Sequence, residues 1–396
     1  MTRPLDGIRV LDLTRVLAGP WCTQTLGDLG AEVWKIENPK GGDDTRAWRP
    51  PQAGGESTYF LSTNRNKKSV AVNLKAPEGK LIVRELAARA DVLVENMRLG
   101  VLEGVGLGLD SLRALNPRLI YCSLSGYGRS SPRAADPGYD AVIQAESGLM
   151  SITGAPDGEP MKVGVAVTDI VSGMNATQAI LAALIARERT GQGQFIDIAL
   201  LDGALALLAN IGSGYLNAGA SPGRFGNLHP TVIPYGIFDA SDGCFVLGCG
   251  NDRQFRATCG VLGHPELGDD RRFGTNNDRH ANRSVLESLL KELFAARPVA
   301  DWVEALMAAD VPAAVVRTVP EALTAPEVEA RGLIQRAPHP TLGEVATVAS
   351  PLRLENMPHP PTAPPLLGEH TSAVLTEILG VTSAQLESWL ADGVIA

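Results

Sequence analysis

Asp169 stands in the stretch VAVTDIVSGM, residues 165 to 174, directly ahead of apolar residues at helical spacing. A carboxylate there can cap the helix, accepting hydrogen bonds from the orphan N–H groups of the first turn. It can also be a nucleophile that forms covalent acyl intermediates. Local sequence leaves both open. A second acid, Asp140, follows Tyr139 in PGYDAVIQ, and a basic and amide-rich run, NRNKK from Asn64 to Lys68, precedes Lys75. In an acidic chain such a run is either a solvated surface or a place that neutralises phosphates.

Other chemistries lack their motifs. The first strand-like segment runs into TRVLAGPW without G-x-G-x-x-G, and G-x-x-x-x-G-K-[ST] is absent, which argues against dinucleotide and P-loop chemistry. The six histidines, His229, His264, His280, His339, His359 and His370, are never in H-E-x-x-H or at zinc spacing with cysteine, so no metal is expected. G-x-S-x-G occurs as GASPG around Ser221, but in a Gly/Pro loop where no strand leads in and no helix follows, as a nucleophile elbow requires. Ser125 sits at a strand end and lacks the glycine two residues before it.

These residues need a scaffold, and 396 residues allow two or three domains, with two as the expectation. Hydrophobic content of 44% with 20% charged residues fits a soluble enzyme. No apolar run long enough to span a membrane and no leader-like start is evident, so a cytoplasmic protein is expected. Cys22, Cys122, Cys244, Cys249 and Cys259 are odd in number and form no C-x-x-C, which points to buried thiols. A formal charge of −9 argues against nucleic acid or an anionic membrane as partner.

Strand-like IRVLDLTR, a helical PWCTQTLGDLG and strand-like AEVWKIE open the chain as a βαβ unit. A helix over 78–89, strands at DVLVEN and LIYCSLSGYG, a helix from about Ile170 to Glu188 stopped by Thr190-Gly191, and a strand at FIDIAL follow. This alternation predicts an α/β fold with a mostly parallel sheet. The Gly- and Pro-rich residues 218–234 mark a boundary, followed by a smaller unit with helices near 253–262, 283–294 and 299–309 and then the proline-rich PHPPTAPPLLGEHT.

Read together, LDGIRVLDLTRVLAGPWCTQTLGDLGAEVWKIE, NRNKKSVAVNLK, ENMRLGVLEGVGL, YCSLSGYG, PGYDAVIQAESGLMSITG, TDIVSGM, RTGQGQFIDIALLD and PPLLGEHT resemble the family III CoA-transferases in order and over nearly the whole chain. That family includes formyl-CoA transferase, carnitine CoA-transferase and the α-methylacyl-CoA racemases. The resemblance implies a Rossmann-like large domain from residues 1–217, completed by 330–396, a smaller α+β domain over 218–329, and ring-shaped subunits threaded through one another as a homodimer. It places the family's catalytic aspartate on Asp169 and an acidic active-site position on Asp140. Coenzyme A is then a substrate, no cofactor is permanently bound, and the partners are acyl-CoA and carboxylic acids.

Racemases of the family carry a histidine where this chain has Tyr139, and a phenol with a reference pKa of about 10 is a poor proton-exchange base at neutral pH. A transferase is therefore expected, with a racemase or a silent CoA-binding homologue as the alternatives. The second half, GNLHPTVIPYGIF through GNDRQF to the terminal LADGVIA, looks most like the succinyl-CoA:dicarboxylate branch, without the long glycine loop of formyl-CoA transferase. In that branch His229 and the Gly226–Pro230 backbone are candidates to hold a second carboxylate. CoA contacts implied by the resemblance fall on Val16, Ala18, Lys75, Asn96 and Val101. Leu17, Asn38 and Gly104 depart from the family's glutamine and two arginines, and Arg98 or Arg15 is expected to replace the missing charge.

Overall fold

The computed structural model describes residues 3–355 and 361–396, so His359 and the start of the proline-rich stretch lie outside the described residues. Two compact units are present: Met1–Met150, Lys162–Ala220 and Glu327–Ala396 form the first, Ser151–Met161 and Ser221–Pro326 the second. The segment 151–161 is expected in the large domain, yet its backbone bonds to the second unit. Gly226 N–H donates to Gly154 O at 3.1 Å, and Arg224 donates to Ala155 O at 3.1 Å and Gly158 O at 2.6 Å.

In the first unit six strands form one wholly parallel sheet: β1 Arg9–Leu13, β2 Glu32–Glu37, β3 Lys67–Ala71, β4 Val92–Glu95, β5 Ile120–Ser125 and β6 Phe195–Ala199. Their order, β3-β2-β1-β4-β5-β6, is that of a doubly wound sheet. Alternate side chains feed two cores, as the two-residue strand period requires. Leu11, Leu13, Trp34, Val70 and Leu93 pack with Ile82, Val83 and Leu86 of helix Pro77–Arg89 and with Val374 and Leu375 of the C-terminal tail. Val10, Val33, Val92, Val94 and Ile120 pack with α1 (Ala18–Asp28) through Ala18, Cys22 and Leu26, and with the long helix Val167–Thr190 through Ala176, Ile180 and Ala183.

That long helix starts at Val167, three residues earlier than its apolar periodicity predicts, because a neighbouring side chain supplies the cap its own sequence lacks. Asp169 thus sits inside the first turn, and Gly191 in the left-handed conformation (φ 70°) closes the other end. By length and composition the helix is apolar enough to cross a membrane, contrary to the expectation that no such run exists; here one face is buried against α1 and the sheet. Gly173 explains how closely α1 approaches, since a Cβ there would lie 2.6 Å from Ala18 O and 3.0 Å from Trp21 Cβ.

NRNKK is mostly drawn into the fold by ion pairs. It leads into β3, where Lys67 is 3% exposed and ion-paired with Asp12 at 3.1 Å. Arg65 is buried on Asp28, and Lys68 meets Glu32 at 2.6 Å. Four cysteines are buried and Cys244 half-buried, all as free thiols.

The second unit is an antiparallel sheet of β7 Tyr235–Asp239, β8 Cys244–Gly248 and β9 Ala313–Val315. Helices Asp252–Val261, Arg283–Phe294 and Val299–Ala308 cover an aromatic core of Phe238, Phe245, Phe294 and Trp302. The three-residue β9 and, in the first unit, β3 and a hairpin of β10 Ile334–His339 with β11 Gly343–Val348 are not anticipated by the sequence pattern.

Candidate active site

In a doubly wound sheet the chain leaves β1 and β4 in opposite directions, and the loops after them border a crevice at the carboxyl edge of the strands. Arg15 and Asn96 follow those two strands and tie the loops together. Asn96 Oδ1 accepts the Arg15 N–H at 2.9 Å, and Asn96 Nδ2 donates to Arg15 O at 2.7 Å. The Asn96 amide therefore clasps the two loops together while the residue lines the cleft beside them.

The loop is clamped on both sides of Arg15. Lys35 Nζ, wholly buried, donates to Thr14 O at 3.0 Å and to Asp43 at 2.9 Å; Asp43 Oδ1 accepts the Val16 N–H at 3.3 Å. Val16 is held at φ 71°, a conformation a β-branched residue adopts only under constraint. Charges beneath the loop alternate: Lys67, Asp12, Lys35, Asp43. Burial alone would raise the Asp12 carboxyl, but Lys67, Lys35 and two hydroxyls outweigh it and hold the group near 2, while burial brings Lys67 down to about 8.

Two clefts open at this edge. One, of about 180 Å³, is lined by Arg15 to Ala18, Asn96 to Arg98, Ser125, Gly126, Arg129, Ala134 to Tyr139, and Asp169. The other, of about 280 Å³, carries Asn38, Lys40 and Lys75, and shares Arg15, Asp44 and Met97 with the first. The structure thus gathers Val16, Ala18, Asn96, Arg98, Tyr139 and Asp169 around one cleft, and Lys75 and Asn38 around its neighbour. Val101, 47% exposed, lines neither.

The expected remedy for the missing arginines divides. Arg15 is paired with Asp44 at 3.2 Å, whereas exposed Arg98 has no side-chain partner among the described residues. Arg129 is held by Glu95, Ser123 and Met97 O at 2.6–2.9 Å, bracing the β4 end.

Asp169 is half-buried and sits within the first turn, and the helix's own N-cap residue, Ala166, supplies no side-chain cap bond. Asp140 performs that task from the first residue of helix Asp140–Glu146, with Oδ1 accepting the Thr168 N–H at 2.8 Å and hydroxyl at 2.7 Å. A helix start is expected to keep the Asp169 carboxyl ionised, but that effect is about 0.3–1 kcal/mol at an exposed site. Burial and then the charge of Asp140 outweigh it and push the group up to about 7. Tyr59, stacked edge-on against Trp48 at 5.0 Å, belongs to the same surroundings: burial and then the charges of Asp169, Asp140 and Asp43 raise its phenol to about 12. Tyr59, Arg129, Asp43 and Gln144 were not singled out by sequence, since their roles come from tertiary neighbours without a local motif.

His229 and Gly226 lie in the second unit. His229 Nδ1 accepts the N–H groups of Thr231 at 3.1 Å and Val232 at 2.9 Å, which places the imidazole proton on Nε2. Its ring stacks on Tyr235 at 5.4 Å and Arg283 donates to its carbonyl at 2.7 Å, so the turn is rigidly built. Gly226 takes a left-handed φ of 58°. Among the described residues no group of three or more His, Cys, Asp or Glu is placed to hold a metal ion.

A half-buried carboxylate with a raised pKa, set in a crevice beside a strained backbone loop, suits acyl transfer through a covalent carboxyl intermediate. Residues 5–371 match CoA-transferase family III, and the chain belongs to that family. It is 44% identical over 394 residues to the succinyl-CoA:glutarate CoA-transferase of Mus musculus, covering 99% of this chain and 90% of that one. With the succinate–glutarate CoA-transferase of Agrobacterium fabrum it shares 45% identity over 382 residues, 95% and 96% of the two chains. A CAIB/BAIF family protein from Brucella suis has a similar crystal structure, with a TM-score of 0.86, 43% identity, and coverage of 96% of this chain and 100% of that one.

Proposed function

We propose that this protein transfers CoA from succinyl-CoA to a dicarboxylic acid, with Asp169 as the nucleophile. The observation that carries the reading is Asp169 itself, half-buried in the cleft that the β1 and β4 loops border. Its ionised oxygen attacks the donor thioester carbonyl and expels CoA thiolate, leaving a mixed anhydride. The thiolate attacks the aspartyl carbonyl of that anhydride, releasing succinate and forming an aspartyl-CoA thioester. An acceptor carboxylate then attacks the aspartyl thioester, giving a second anhydride and CoA thiolate. Attack of the thiolate on the acceptor's acyl carbon completes the new acyl-CoA and returns Asp169 as carboxylate. Every step conserves the activated acyl bond, so water must be kept out.

Val16 and Ala18 offer backbone to the CoA chain, with Val101 at the rim. Lys75 in the neighbouring cleft and the unpaired Arg98 supply positive charge to its phosphates. His229, whose Nε2–H has no hydrogen-bond partner among the described residues, and the Gly226 backbone are the groups that the family resemblance offers to the distal carboxylate of the acceptor; Tyr139 lines the cleft that holds Asp169. The dicarboxylate named for the mouse and Agrobacterium relatives, glutarate, is the first acceptor to try. Initial rates with succinyl-CoA and a series of mono- and dicarboxylates test the reading. His229→Ala raises KM for the diacid about tenfold and leaves that for a monocarboxylate unchanged; equal effects on both remove His229 from acceptor recognition.

The subunits form an interlocked dimer of rings, as the family resemblance implies. An open apolar cavity of about 1190 Å³ beside Trp21, Met174, Leu181 and Val348, together with Tyr215 and Leu216 at 60% and 81% exposure, supports burial against a second copy. Light scattering of the purified protein that gives a monomer overturns this part.

A further inference from the structure

Gln144 is wholly buried and lines neither of the two clefts at the strand edge. Both ends of its amide are engaged. Nε2 donates to Asp140 Oδ2 at 2.7 Å, and Oε1 accepts the Val163 N–H at 2.8 Å. The opposite oxygen of the same Asp140 carboxylate holds the N–H and hydroxyl of Thr168. Hydrogen bonds therefore run without a break from Val163 through Gln144 and Asp140 to Thr168, the residue before Asp169. They span the segment that enters the helix, between Val163 and Val167, where no helical bonding yet fixes the chain.

An amide suits this position because it donates at one end and accepts at the other. A carboxylate could not donate to Asp140, and an apolar side chain would leave a half-buried carboxylate oxygen and a half-buried backbone N–H without this partner, at a cost of up to about 1–3 kcal/mol each. Thr168 is itself buried, and its carbonyl accepts the Ser172 hydroxyl at 2.7 Å, so the first turn is fixed from both sides. Among the described residues Asp169 has no side-chain hydrogen bond that would orient it independently.

Resting on the nucleophilic role given to Asp169, we propose that Gln144 is a positioning residue for CoA transfer: it fixes Asp140, and through Asp140 the helical turn that aims Asp169. A displacement of about 1 Å at a reacting group costs up to about a hundredfold in rate. Gln144 touches neither substrate nor the reacting atoms, so its loss falls on the chemical steps and spares CoA binding.

The experiment compares wild type with Gln144→Met, Asp140→Asn and the double variant, using succinyl-CoA and glutarate, alongside thermal unfolding of each. Gln144→Met is expected to lower kcat about ten- to a hundredfold, with KM for succinyl-CoA within about twofold. The double variant is expected to be no slower than the slower single variant, the non-additivity of two residues acting as one relay. Should Gln144→Met not fold, Gln144→Glu provides the same test. Its protonated form can both donate and accept, so its rate relative to wild type rises as pH falls. Wild-type kcat in a folded Gln144 variant, a fall confined to KM, a Glu variant whose relative rate is flat with pH, or multiplicative losses in the double variant each overturn the proposal. A wild type that transfers no CoA removes the proposed function itself, an outcome distinct from an active wild type matched by its variants.

Discussion

Asp140 caps a helix to which it does not belong, binding the Thr168 N–H at 2.8 Å and hydroxyl at 2.7 Å, and so sets a fixed negative charge beside Asp169. Capping and chemistry, both open to one aspartate in the sequence, are divided between two. Asp140 steadies the turn, and Asp169 faces the cleft with a carboxyl raised to about 7.

The pH dependence of the first step follows. Attack requires the carboxylate, so the single-turnover rate rises with pH through a midpoint near the Asp169 value of about 7. Asp140→Asn removes the adjacent charge and moves that midpoint down. Stopped-flow rates between pH 5 and 9 measure it; an unmoved midpoint contradicts the coupling.

Stability carries the opposite sign. Asp169 titrates higher in the fold than its unfolded value of about 3.9, so the native state binds the extra proton between about 4 and 7 and loses stability as pH rises through that window. Asp169→Asn is therefore expected to unfold at a higher temperature than wild type at pH 8 and at nearly the same temperature at pH 4. Calorimetry at the two pH values compares them.

Two lysines near one another in sequence should behave differently. Lys67→Met strands buried Asp12 without its cation and is expected to cost about 3–5 kcal/mol of stability. Lys75→Ala, at an exposed position in the cleft, leaves stability within about 0.5 kcal/mol and raises KM for the CoA ester severalfold. Denaturant unfolding and initial rates separate the two.

Val16 tests whether the strained loop serves binding. Glycine adopts φ 71° freely, and the relief of about 1–3 kcal/mol outweighs the added chain entropy of about 0.5–1 kcal/mol. Val16→Gly is expected to be at least as stable as wild type and to bind the CoA ester several times more weakly. Isothermal titration shows which; unchanged affinity means the strain does not serve CoA binding.

Five strands of the parallel sheet were legible as apolar and β-branched stretches separated by helices, and the boundary near Ala220 because Gly and Pro crowd there, whereas β3 opens on two lysines and was hidden in NRNKK. Asp169 and the first loop were reachable through motif resemblance. NRNKK misled because charge in a sequence says nothing of its partners: Asp12 and Asp28, distant in the chain, take Lys67 and Arg65 into the interior. Asn96 was reached through the resemblance, but its clasp on Arg15 was not, since the two residues lie on loops far apart in the chain. The start of the Asp169 helix was misplaced for the same reason, since its cap arrives from residue 140.

Intact-protein mass spectrometry after incubation with succinyl-CoA tests the central claim most directly, with hydroxylamine or borohydride trapping, on wild type and Asp169→Asn. The account predicts a trapped modification in wild type that maps to Asp169 and is absent from the variant. An unmodified wild type, above all one that instead carries solvent deuterium into an α-methylacyl-CoA, contradicts covalent transfer and points to the racemase chemistry that Tyr139 argues against.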